Sequence, residues 1–280
     1  MKYPFDLQKL SVLVSVVLLT TSCELIETRP FELPFSGGSP VVYGLMGSDD
    51  TLSVSLYETQ AVLDYDTLEV PVSGSIQLLE EGQSVLSTEV VANHKKIPFA
   101  ARQGASYALS VEVGGQTINS APVLSPRVIP VDTCSLQFDA DSTRVVLGIT
   151  FQDPPEQNDY YTARVLKKYQ GEVIEREERS FRNLISDQSF NGSSHTITKS
   201  IKLGVWIFDG FELVDRFLAD ELVVLLYRVS EPVYLFYESL DKNNGEIGNQ
   251  FSNQTPPYSN LSDGYGFFGT YAVDSMTVRW

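Results

Sequence analysis

Apolar and polar residues alternate one by one in several short runs of this chain, and that period restricts the fold more than anything else. Leu52, Val54 and Leu56 alternate with Ser53, Ser55 and Tyr57, and Tyr107, Leu109, Val111 and Val113 alternate with Ala108, Ser110 and Glu112. Successive side chains of a strand point to opposite faces, so a two-residue period marks strands with one buried and one wet face. Shorter apolar segments surround them: Val41-Val42-Tyr43, Val70 to Leu79, Val85 to Val91 and Ile97-Pro98-Phe99. Gly114-Gly115 supplies a two-residue hairpin turn, because glycine takes positive φ at little steric cost. About seven short strands at this spacing, with no helical stretch, predict a β-sandwich over residues 41–125.

Pro122, Pro126 and Pro130 break the chain into an extended connector. Beyond it the strand pattern resumes at Thr143 to Phe151, Tyr160 to Tyr169, Gly171 to Phe181, Ile197 to Leu203 and Glu221 to Val229. Residues 183–196 are polar and read as an exposed loop. One helix is marked: Ser230 can cap it, Glu231 and Pro232 suit its first turn, and Val233, Phe236, Tyr237 and Leu240 share one face. Asn243-Asn244-Gly245 ends it. Residues 126–280 are therefore expected to form a second β-rich domain with at least one packed helix. The fold class is mainly β.

The N-terminus adds an address. Lys2 and Lys9 precede an apolar run from Leu10 to Leu19, which leads into Thr20-Thr21-Ser22 and Cys23. A basic start, an apolar stretch of about ten residues and small residues before a cleavage point make a secretory signal peptide over residues 1–22. The run is shorter than the roughly 20 apolar residues of a permanent span. Cys23 after the small residues resembles a bacterial lipobox, in which the cysteine is acylated and becomes the first mature residue; Thr20 stands where that motif has leucine. About three acyl chains would exceed the two signals needed for stable anchoring. Residues 23–40, with three prolines in 24–40 and Ser36-Gly-Gly-Ser39, read as a tether.

Composition removes several functions. Lys and Arg number 20 against 36 Asp and Glu, a formal net charge of −16. So negative a surface repels phosphate backbones, and no nucleic-acid partner is expected. Cys23 and Cys134 are the two cysteines and His94 and His195 the two histidines, with no ligand spacing around them. Cys134 reads as a small buried hydrophobe. No phosphate-binding loop, nucleophile elbow, zinc-protease motif or calcium loop occurs. Asp153, Glu156 and Asp159 cluster, as do Asp215, Asp220 and Glu221; either group offers oxygen ligands for Ca²⁺, but carboxylates beside prolines in a loop read first as solvated turn residues. No metal, cofactor or catalytic residue is therefore expected. Tyr160, Tyr161, Tyr234, Tyr237, Tyr258, Tyr265 and Tyr271 form a tyrosine-rich set, fit either for a core or for a binding surface.

Two resemblances extend this reading. Gly104 to Val113 looks like the penultimate strand of immunoglobulin or fibronectin type III sandwiches, where a tyrosine near the strand start anchors a corner. Asp153-Pro-Pro-Glu-Gln-Asn-Asp-Tyr-Tyr161, Ser230-Glu-Pro-Val-Tyr-Leu-Phe-Tyr237, Asn249-Gln-Phe-Ser-Asn253 and Tyr258 to Tyr271 together resemble Bacteroidota outer-membrane lipoproteins of domain-of-unknown-function family 4249. Gln250 takes the place of the family's usual proline. The resemblance implies a lipid-anchored protein in the outer membrane, facing outward, that serves as accessory or cargo-binding partner of a TonB-dependent transporter. It assigns no catalytic residues. Phe267, Phe268 and Tyr271 would fill a core or line a groove, core packing being the first reading; within a docked complex, contact with a partner or ligand is expected at Tyr258, Tyr265, Phe267 or Phe268. A surface adhesin or structural spacer is the alternative, and a glycan- or peptide-acting hydrolase would need an acid–base pair or nucleophile that the sequence does not designate.

Overall fold

The alternation in the first half becomes two sheets around one core. One sheet holds β1 (Pro40–Gly47), β2 (Thr51–Glu58), β3 (Val70–Pro71) and β6 (His94–Pro98). The other runs from β5 (Gln83–Val90) through β4 (Gly74–Glu80) and β7 (Ser106–Val113) to β8 (Gln116–Asn119), with β9 (Val123–Leu124) also on β7. Leu52, Val54 and Leu56 of β2 are buried in the same cluster as Ile76, Leu78, Leu109 and Val111. The computed structural model describes residues 38–49, 51–60, 70–91, 94–140, 142–155, 158–176, 181, 183–209, 212–245 and 256–280. The signal peptide, Cys23, nearly all of the tether and the Asn249–Asn253 motif lie outside those residues.

Two local devices fix the sandwich. Gly114 and Gly115, at φ +58° and +78°, join β7 to β8, and two positive φ values give the turn whose twist matches the flanking strands. Tyr107, buried at the start of β7, accepts the Arg102 N–H on its hydroxyl at 2.8 Å. That bond from a tyrosine back to the chain upstream is the corner found in immunoglobulin-like sandwiches. Tyr107→Phe keeps the ring and strands the Arg102 donor, so it should lower stability by about 1–2 kcal/mol. Denaturant unfolding checks this: the midpoint should fall with the slope unchanged, and an unmoved midpoint would show that the corner bond contributes nothing.

In the second half, β12 (Tyr160–Tyr169) and β18 (Glu221–Val229) pair antiparallel beside β19 (Tyr265–Arg279), with β13 (Glu172–Arg176) and β14 (Ile185–Ser186) on the outer edge of β12. A three-stranded sheet of β10 (Thr133–Phe138), β11 (Arg144–Gln152) and β15 (Ser194–Lys202) shares a core with them. Leu147, Ile149 and Phe151 meet Tyr161, Ala163, Leu222 and Val224 there. β16 (Gly204–Asp209) and β17 (Glu212–Leu218) pair as a hairpin. The helix α1 (Glu231–Gly245) buries Val233 and Phe236 in a third cluster with Tyr160, Tyr227, Val229 and Phe267. Among the described residues the chain is thus mainly β with one packed helix. Ser230 starts that helix differently from expectation. Its carbonyl accepts the Val233 and Tyr234 N–H groups, while its hydroxyl accepts the Thr270 N–H at 3.0 Å, tying the helix start to β19.

β19 is the element the two halves share. Its first part pairs in parallel with β1, from Val41↔Tyr265 to Gly47↔Tyr271, and its second part antiparallel with β18, from Val229↔Tyr271 to Glu221↔Arg279. Strands from residues 41–125 and 126–280 therefore lie in one sheet, and Gly37–Trp280 is one compact unit. Gly266 makes the parallel pairing possible. It sits at φ +103°, and a Cβ there would collide with the Val42 carbonyl, so only glycine fits. Consecutive residues of β19 then face opposite ways: Phe268 enters the sandwich core and Phe267 the cluster under α1.

Candidate functional site

The polar stretch at 183–196 is not the exposed loop its composition predicts. It contains β14, a 3-10 turn over Asp187–Ser189 and the start of β15, and it buries Asp187 and Phe190. The Phe190 ring stacks on His195 with centroids 3.9 Å apart and meets Phe151 edge-on. These apolar contacts pull the turn inward and carry the Asp187 carboxylate with it.

Asp187 arrives beside two carboxylates from the Asp-Pro turn between β11 and β12. Asp153, Asp159 and Asp187 are 1%, 7% and 1% exposed, and each offers an oxygen within 4.8 Å of the others. The expectation that the Asp153–Asp159 group is solvated is therefore corrected. Asp153 lies two residues beyond buried Phe151 of β11, and Asp159 directly precedes buried Tyr160 of β12, so both carboxylates are drawn inward with those side chains. Glu156 lies outside the described residues. Asp220 instead accepts the Gln170 N–H at 3.0 Å, and Glu221 pairs with Arg279 and Lys168; the side chain of Asp215 lies outside the described residues.

Each member of the buried group has a defined environment. Asp153 accepts the Tyr161 hydroxyl on Oδ1 at 2.6 Å and the Gly192 N–H on Oδ2 at 2.8 Å. Asp159 accepts Arg228 Nε at 2.9 Å on Oδ1 and Arg228 Nη2 at 2.6 Å on Oδ2. Arg228 stands opposite Tyr161 in the β12–β18 register. Asp187 Oδ2 is buried with no hydrogen-bond partner. Burial raises the Asp159 carboxyl above its ordinary range, opposed by Arg228 and reinforced by Asp153 and Asp187. Burial, and then the bond to Asp153, push the Tyr161 phenol well up. Burial lowers His195, with the charge of Asp153 opposing.

Asp159 and Arg228 also form the floor of a cleft of about 400 Å³. Pro122 and Leu124 of the connector, the helix start at Glu231, and Tyr258 supply its walls. Asn260, on the same wall, donates from its side-chain amide to the Phe268 carbonyl at 2.9 Å and accepts the Phe268 N–H at 3.0 Å. Its own carbonyl accepts the Ala121 N–H at 2.8 Å. The Ser-Asn element at 259–260 is thus a clamp that holds the wall between the connector and β19.

The four expected contact residues separate. Tyr265 is 46% exposed, and Tyr258 is half-buried beside the cleft. Phe267 and Phe268 are 3% and 0% exposed; each fills a core of this chain, as the packing reading has it, which leaves neither as a surface contact. Of the rest of the tyrosine set, Tyr160 and Tyr161 are buried and Tyr234, Tyr237 and Tyr271 half-buried: Tyr160 stacks on Tyr234 at 4.2 Å, and Tyr271 donates to the Asp49 carboxylate at 2.9 Å.

Other reactive groups lie elsewhere. Cys134 is half-buried against the β10–β11–β15 core, and burial pushes its thiol up, opposite to what activates a nucleophile. Ser55 Oγ lies 2.8 Å from His94 Nδ1 on an exposed strand face away from the cleft.

Arg228 and Asp187 were missed at the sequence level. Arg228 had a signal: it is the one cation inside the otherwise apolar run Leu222–Val229, and a buried cation needs a buried anion. Asp187 had none, since its neighbours are polar.

No curated protein matches the chain. The family model described as Domain of unknown function (DUF4249) matches it from residue 28 to residue 277, so the chain belongs to that family.

Proposed function

We propose that this protein is a lipid-anchored outer-membrane protein that docks on a TonB-dependent transporter and helps to capture its cargo. The observation that carries the reading is an acylatable Cys23 behind a basic and apolar leader, in a chain that belongs to this family over residues 28–277. The family resemblance supplies the transporter as partner. The cleft supports a binding role, because pockets of roughly 300–1,000 Å³ with a few fixed polar groups are ordinary ligand sites. Its floor is a charged pair and its walls are proline, leucine and tyrosine. Exposed Tyr265 offers apolar surface outside it, and aromatic anchors commonly dominate interfaces. No helix among the described residues is long and apolar enough to cross a membrane; attachment in this reading rests on Cys23.

The test is extraction of outer membranes in mild detergent and capture of the tagged protein. A transporter should co-purify, and Cys23→Ala should leave the outer-membrane fraction. If the protein comes out alone while a known transporter–lipoprotein pair survives the same extraction, the accessory role fails.

A further inference from the structure

The buried carboxylates do not balance. Asp153, Asp159 and Asp187 are all at least nine-tenths buried, and Arg228 is the cation paired with them among the described residues. Its guanidinium is held by both oxygens of Asp159. Asp153 is satisfied by Tyr161 and Gly192, both of which donate a hydrogen bond and bring no charge. Asp187 is the decisive member: its Oδ2 has no partner at all, and its carboxylate lies within 4.8 Å of the other two. A buried acceptor left unpaired costs about 1–3 kcal/mol, and more when charged. The Asp187 turn is fixed by the Phe190 N–H to Asp187 carbonyl bond at 2.7 Å and the Asp187 N–H to Asp159 carbonyl bond at 3.0 Å.

We propose that Asp153, Asp159 and Asp187 together bind one calcium ion. The donor set is oxygen only, which selects a hard cation over zinc or copper. Calcium takes oxygens at about 2.3–2.6 Å, so oxygens on opposite sides of one ion lie about 4.6–5.2 Å apart and adjacent ones closer. Three carboxylates within 4.8 Å of one another match a single such sphere. Magnesium demands near-octahedral geometry and is usually bound through one or two carboxylates with several waters, whereas three carboxylates converge here. Two positive charges added to that of Arg228 neutralise the three carboxylates. Each carboxylate oxygen has two lone pairs, so the bonds from Tyr161, Gly192 and Arg228 remain in place when the ion is bound. The ion would join the Asp-Pro turn, the 3-10 turn and the β12–β18 pair, and so brace the floor of the cleft. This inference does not depend on the transporter reading, and either can fail without the other.

The test uses the detergent-purified full-length protein, stripped with chelator, and calcium chloride as the probe. Isothermal titration should show one saturable site per chain. The thermal midpoint should rise by about 5–10 °C once free calcium exceeds its dissociation constant by about 100-fold. Magnesium at equal concentration should give a smaller rise. Asp187→Asn, which keeps shape and removes the charge, should weaken calcium binding by more than the roughly 10–100-fold lost with an outer-shell partner. Asp187→Ser serves the same purpose if the asparagine variant does not fold. Absence of a saturable site in the unmodified protein overturns the proposal. So does a midpoint equal in chelator and in calcium, tighter binding of magnesium than calcium, or full calcium affinity in either Asp187 variant.

Discussion

Replacing Arg228 with methionine is expected to destabilise the fold by about 3–5 kcal/mol, the usual loss when one partner of a buried ion pair is removed. Methionine matches the length of the arginine stem and keeps the packing on β18, so the loss reports the charge rather than a cavity. It leaves Asp159 buried beside Asp153 and Asp187 with its main donors gone. The deficit should also depend on pH in one direction. Burial already raises the Asp159 carboxyl, against the lowering influence of Arg228; without Arg228 it rises further. A group raised in the folded state contributes stability that is fully present below its unfolded value, near 4, and lost as pH rises through the folded value. The variant should therefore be closer to the parent at pH 5 than at pH 8. Urea unfolding in chelator at the two values is the measurement. An equal deficit at both would mean that Asp159 does not carry the effect, and a second change of Asp159 to asparagine should restore part of the loss.

Why some of this could be read from the sequence and some could not follows from how each residue is used. β2 and β7 were legible because each has one buried and one wet face, and the alternation of Leu52, Val54 and Leu56 reports that directly. The helix was legible because Pro232 and the Val233–Phe236–Leu240 spacing are local signals. β19 was not. Its partner β1 lies more than two hundred residues earlier, and Phe267 and Phe268 do not alternate with polar residues because each face of the strand enters a different core. Two adjacent aromatics between glycines are compatible with a core or a groove, and the sequence does not show that they form the seam between two cores. The carboxylate group was half legible. Asp153 and Asp159 stand close in sequence, but their burial depends on Arg228 and on a turn anchored by Phe190, and only tertiary packing brings these together.

Phe268→Ala is expected to lose about 3–5 kcal/mol, the range for truncating a buried phenylalanine, while Tyr265→Ala should stay within about 0.5 kcal/mol of the parent. The two positions lie three residues apart on one strand, with opposite surroundings. Phe268 is fully buried in the sandwich core, and its ring lies close over Gly44 of the neighbouring strand. Its backbone is clamped by Asn260, so β19 cannot slide to fill the void. Tyr265 stands 46% exposed where the parallel pairing with β1 begins. Thermal unfolding and transporter co-purification, measured on both variants, separate fold from docking. Phe268→Ala should lower the midpoint steeply, and any loss of co-purification should track the unfolded fraction. Tyr265→Ala should leave the midpoint in place and weaken co-purification, if the exposed ring is an anchor of the docked complex. A Phe268→Ala protein with the parental midpoint and no transporter would return that residue to the interface. A Tyr265→Ala protein that docks as well as the parent would move the interface elsewhere, with Tyr258 at the cleft wall as the next position to change.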